Sequence, residues 1–125
     1  MKYITDIYYS SQNEPYEKAS GYIVDEGSIF RIGFTTLEYG FEVKNDNGKI
    51  SVIRTGEQAY TINLSKTPST FNLTTPYGIL SYKTQLISFS NEKKNSSCSI
   101  TLVYSLTDNT NHTQKNTLKL RGMIK

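Results

Sequence analysis

Few side chains in this sequence could carry out chemistry. Acyl or phosphoryl transfer needs a nucleophile, a base and an orienting group within hydrogen-bond reach, and histidine is the usual base. His112 is the single histidine and Cys98 the single cysteine. His112 lies in Asn109-Thr110-Asn111-His112-Thr113, a polar run that reads as a solvated loop. Cys98 opens an alternating segment on its apolar parity and reads as a small buried hydrophobe rather than a nucleophile. A zinc site draws on several Cys, His or carboxylate ligands, and one Cys and one His far apart do not supply them. Asp25 and Glu26 are adjacent, so in a strand they would point to opposite faces and read as strand-end charge. No glycine-rich loop precedes a helix to cradle a phosphate. The expectation is therefore no catalytic residue, no metal and no cofactor: a protein that is not an enzyme.

Binding chemistry is better represented. Tyr22, Tyr39, Tyr60, Tyr82 and Tyr104 occupy positions that read as inward, and a barrel of about eight strands either fills with side chains or holds one small ligand. Arg54 shares parity with Ile50 and Val52. It reads either as the partner of Glu57 in a surface ion pair or as a guanidinium that reaches into a lumen and grips a carboxylate or phosphate in a bidentate contact. Arg54, Tyr60, Tyr82 and Tyr104 are thus the candidate contacts for a small amphipathic ligand. Arg31, on the parity opposite to Phe30 and Ile32, reads as solvated.

Charge offers a second reading. The formal net charge of +3 is small but unevenly spread. Residues 1–60 hold nine acids and six bases, whereas residues 61–125 hold two acids and eight bases. A basic face near Lys83, Lys115, Lys119 and Arg121 would suit a nucleic acid or an acidic protein. A third possibility is a homodimer joined through an exposed strand edge.

Positioning any of these residues falls to strands. The chain has ten Tyr, five Phe and no Trp. Alanine, the best helix former, occurs only at Ala19 and Ala59. Apolar and polar residues alternate along Cys98 to Thr107, with Cys98, Ile100, Leu102, Tyr104 and Leu106 on one parity. Shorter runs repeat this at Phe30-Ile32-Phe34, Tyr39-Phe41-Val43, Tyr60-Ile62-Leu64 and Leu118-Leu120. Asn45-Asp46-Asn47-Gly48 between two such runs predicts a hairpin whose central residues need positive φ. Further reversals are expected at Arg54 to Glu57, Ser65 to Pro68 and Thr75 to Gly78, and polar loops at Asn91 to Ser97 and Asp108 to Asn116. The parity switch between Leu86 and Ile87 predicts a β-bulge near Gln85 to Ile87. A short helical turn around Ser11 to Lys18 conflicts with Pro15 and the β-rich flanks. The expected fold is all-β: a closed or nearly closed antiparallel up-and-down barrel of about eight or more strands, calycin- or lipocalin-like, spanning residues 1–125 as one domain.

A lone cysteine cannot form an intramolecular disulfide, which points to a reducing, cytoplasmic setting. The first residues lack the unbroken apolar run of a secretory signal, and no stretch approaches the roughly 20 apolar residues of a spanning helix.

Several segments taken in order resemble the YwiB-like family, a group of uncharacterised bacterial proteins placed among the calycin-like β-barrels. They are Gly21-Tyr22, Ile29-Phe30-Arg31-Ile32, Ile50 to Gly56, Thr75-Pro76-Tyr77-Gly78-Ile79-Leu80, and the strand from Ile100 to Leu106. Thr-Pro-Tyr-Gly after the arginine-containing turn is the most specific of these. The resemblance implies the barrel fold and supplies no catalytic residue. The chain departs from the family pattern where Thr35-Thr36 follows Phe34 in place of an acidic residue, and its amino-terminal strand looks short.

Overall fold

Side chains that alternate in polarity are satisfied only by an extended backbone with one wet and one dry face. In the computed structural model, which describes residues 1–124, the chain forms ten strands. They are β1 (Lys2–Ser11), β2 (Glu17–Asp25), β3 (Ile29–Thr35), β4 (Tyr39–Asp46), β5 (Lys49–Gly56), β6 (Tyr60–Leu64), β7 (Ser69–Thr75), β8 (Gly78–Lys94), β9 (Ser97–Thr107) and β10 (Thr113–Met123). Every paired neighbour is antiparallel, in the order β6-β5-β4-β3-β2-β1-β10-β9-β8-β7. The first strand therefore meets the last, through pairs such as Ile7 with Gly122 and Tyr9 with Leu120. The sheet's two ends, β6 and β7, are consecutive in sequence. Ser69 Oγ of β7 donates to the Asn63 carbonyl of β6 at 3.3 Å, and the connection after β6 is tied to β8 by Leu86 N–H to the Ser65 carbonyl at 2.8 Å and Gln85 Nε2 to the Lys66 carbonyl at 2.9 Å. The result is a nearly closed up-and-down barrel, as the alternation predicts.

Local turn chemistry behaves as expected at the β4–β5 hairpin. Asn47 and Gly48 have φ of 55° and 95°, and the Asn45 side-chain oxygen accepts the Gly48 N–H at 2.8 Å. In β8 the register against β9 shifts between Leu86 and Ser88, so Ile87 is the bulged residue that restores the apolar parity at Phe89. The bore of the barrel is filled by wholly buried aliphatic side chains from several strands, among them Ile7, Ile23, Ile32, Val52 and Leu102. Gly21 allows the closest approach of all. A β-carbon there would lie 2.2 Å from the Gly33 carbonyl oxygen and 2.4 Å from Ile7 Cγ1.

The segment after Ser11 is not helical, in keeping with Pro15 and its flanks: Gln12 and Asn13 turn with positive φ, and β2 begins at Glu17. Two expectations need correction. The amino-terminal strand is ten residues long, not short. Both polar loops are shorter than their composition suggests, because β8 runs on to Lys94 and β10 begins at Thr113. Strand pairing satisfies the backbone of a polar segment as well as that of an apolar one.

Candidate ligand cup at the open end of the barrel

The odd-numbered strands all finish at the same end of the barrel, where aromatic and polar side chains join the aliphatic ones on the inner face. Tyr9 of β1, Phe34 of β3 and Arg54 of β5 meet there with Tyr39 and Phe41 of β4, Tyr60 of β6 and Tyr104 of β9. Together with Ser10, Asn116 and Leu118 they line a cavity of about 340 Å³. The Tyr9 and Phe34 rings are nearly parallel, 4.0 Å apart at 9°. Phe41 stacks on the far side of Phe34 at 5.6 Å, and Tyr39 meets it edge-on at 6.1 Å.

Arg54 is held by two contacts. Its Nε donates to the Glu57 backbone carbonyl at 2.9 Å, and its guanidinium carbon lies 4.1 Å from the centre of the Tyr39 ring. The expected ion pair with the Glu57 carboxylate does not form. The tight turn after Gly56, at φ 84°, offers the arginine a carbonyl instead. Among the described residues, the Tyr60 and Tyr104 hydroxyls have no hydrogen-bond partner in the protein. Burial pushes both phenols above their ordinary pKa, with the Arg54 charge opposing the shift at Tyr60. Tyr9 is also raised, first by burial and then by Glu17 beside its hydroxyl.

At the opposite end the chain supplies an ion pair of its own. Lys93, inward on β8 after the bulge, pairs with Asp25 at the end of β2 and lies 5.8 Å above the Phe30 ring. Beneath them Cys98 is fully buried, and its Sγ reaches Asn91 Oδ1 at 3.3 Å. Lys93 holds the Asp25 carboxyl below its ordinary range, and burial raises the Cys98 thiol. Its burial agrees with the sequence reading of Cys98 as a small buried hydrophobe.

Arg54, Tyr60 and Tyr104 thus converge on one cavity. Tyr82 does not join them. It stacks on Phe71 at 6.2 Å and borders a separate surface hollow with Lys83, Thr107 and Asp108, because β8 climbs past the rim before its bulge. Tyr22, expected to point inward, lies on the outer face: it crosses Gly33, whose missing side chain leaves room, and donates to Glu42. Arg31 beside it is half-buried rather than solvated, and its Nε is enclosed without a partner. Tyr9 and the Lys93–Asp25 pair were missed by sequence reasoning, and Phe34, read as inward, was not counted among the candidate contacts. The parity of Ile7 carries Tyr9 inward, whereas nothing local links Lys93 to Asp25, 68 residues apart.

The basic candidates lie outside. Lys115, Lys119 and Arg121 alternate along the outward side of β10, and Lys83 stands two strands away on β8. Arg121 is flanked by aromatic rings, Tyr8 at 5.7 Å and Tyr16 at 5.5 Å.

Architecture and site together define the chain as a small antiparallel barrel with an aromatic cup at one end. Residues 11–120 match the family described as Domain of unknown function (DUF1934), and the chain belongs to that family. Among solved structures, it is similar to the crystal structure of the ywiB protein from Bacillus subtilis. The TM-score is 0.71 at 12% identity, over 99% of this chain and 93% of that one, a likeness of fold. No curated protein matches the chain. Among the described residues, no helix is long and apolar enough to cross a membrane.

Proposed function

We propose that this barrel is a binding protein, without catalysis, that takes a small amphipathic molecule into the cup. The observation that carries this reading is the contrast within one bore: solid aliphatic packing along most of it, and an open cavity of about 340 Å³ where the aromatic residues gather. Small-molecule sites typically have volumes of about 300 to 1,000 Å³, mostly apolar walls and a few polar groups that fix orientation. Arg54, Tyr60 and Tyr104 are the polar groups here. Native mass spectrometry of the protein purified from its own host tests the proposal. A stoichiometric small-molecule adduct that shifts the Tyr60 and Tyr104 resonances is expected. A protein that emerges bare, and whose cup resonances stay unmoved by a library of small aromatic and aliphatic compounds, would sink it.

A second reading rests on the outer face of β10. Alternating Lys115, Lys119 and Arg121, with Tyr8 and Tyr16 beside the last, combine charge with stacking surfaces of the kind that bind single-stranded nucleic acid. Its signature is anisotropy of a labelled RNA that falls steeply between low and moderate salt. Salt-insensitive or absent binding removes this reading. A cytoplasmic home in a bacterium belongs with the first proposal. The lone cysteine supports it, since small secreted domains usually rely on disulfides.

A further inference from the structure

The chemistry of the cup goes further than its volume. The Arg54 Nε bond to the Glu57 carbonyl fixes the guanidinium plane, and the Tyr39 ring covers one of its faces. Among the described residues, the carboxylates within 4.0 Å of a basic group are Asp25 and Glu92, and both belong to other partners. The terminal nitrogens of Arg54 therefore remain for something that is not part of the chain. A guanidinium edge is a planar fork that matches a carboxylate or a similar oxyanion.

The walls restrict the rest of the guest. Tyr9, Phe34 and Phe41 form a layered set of rings with Tyr39 edge-on against it, so the cup presents π faces and ring edges. Its floor is closed. Ile32, Val52 and Leu102 are wholly buried below, leaving no tunnel for an alkyl tail. A guest must be short and broad. Near its inner part the unpartnered Tyr60 and Tyr104 hydroxyls would meet a polar substituent.

We infer that the cup selects a flat aromatic molecule bearing one anionic group, with the anion on Arg54 and the ring against the Tyr9–Phe34–Phe41 stack; this rests on the cup being a binding site. Three probes separate the parts of the inference: naphthoate, its neutral relative naphthylmethanol, and the aliphatic anion decanoate. Titration calorimetry with the intact chain should show naphthoate binding at least about tenfold more tightly than either control, a difference of about 1.4 kcal/mol. Arg54→Met should remove that advantage, weakening naphthoate at least about tenfold more than naphthylmethanol. If Arg54→Met does not fold, Arg54→Lys keeps the charge, loses the fork and should weaken naphthoate alone. Equal binding of naphthoate and naphthylmethanol overturns the anionic half. Decanoate binding as tightly as naphthoate, with the same Tyr60 and Tyr104 shifts, overturns the aromatic half while the cup stands as a binding site. If all three leave the cup unmoved, the inference is wrong. A host-derived adduct seen at the cup by mass spectrometry would then keep the binding reading alive, and a bare protein would end both.

Discussion

At one end of the barrel Lys93 meets Asp25 above Phe30, whereas at the cup end Arg54 finds only a ring and a backbone carbonyl. Both cations sit over aromatic faces at the edge of the same apolar bore. One has its counter-charge supplied by the chain; the other does not, and a cavity lies beside it. The difference teaches where to look for function in a fold made of one repeated pattern: at the end where a charge and its aromatic neighbours are left without partners.

Substitutions can sharpen that contrast, beginning with the core the two ends share. Leu102→Ala removes a wholly buried side chain from the middle of the bore and should lower the unfolding free energy by about 2 to 5 kcal/mol, read from urea denaturation. A loss below about 1 kcal/mol would mean that the bore is loosely packed and that the cup is not distinct from it. Gly21→Ala comes next. With the Gly33 carbonyl and Ile7 so close, overpacking should cost about 1 to 3 kcal/mol, and unchanged melting would show that the strands part easily there.

Smaller effects distinguish the ends themselves. Asp25→Asn should cost no more than about 1 kcal/mol near neutral pH, since Lys93 and Asp25 keep 48% and 31% of their side-chain exposure. Its mark is the pH dependence. The Asp25 pKa is lowered by Lys93 in the folded state, so its contribution is complete above the ordinary carboxylate pKa of about 4 and is lost as pH falls through the depressed folded value. Asp25→Asn should therefore flatten part of the acid limb of the stability curve, and parallel curves for the two proteins would contradict the pairing. Tyr104→Phe should have the least effect on stability, within about 0.5 kcal/mol of neutral or slightly stabilising, because the hydroxyl lost has no partner in the chain. A destabilisation above about 1 kcal/mol would reveal a partner and remove Tyr104 from the polar groups free to meet a guest.

Much of this was legible in residue order. The β4–β5 turn at Asn47-Gly48, the bulge at Ile87 and the inward row of β9 all follow from dihedral preference or twofold periodicity, which act within a few residues. Arg54, Tyr60 and Tyr104 were found through the same periodicity. It failed at Tyr22, where a glycine on the neighbouring strand makes room for a ring on the outer face; Tyr82 does pack inward on Phe71, but beside a separate hollow and not in the cup.

The alternation of apolar and polar residues by itself determined that this chain is a β-meander with a dry side and a wet side, because each side chain's face depends only on its neighbours' spacing. How far each strand climbs before it meets its partner depends on pairing between residues distant in sequence. Only that tertiary register decided that Lys93 would find Asp25 and that Arg54 would find no acid. It also decided which of the inward tyrosines would share a cavity.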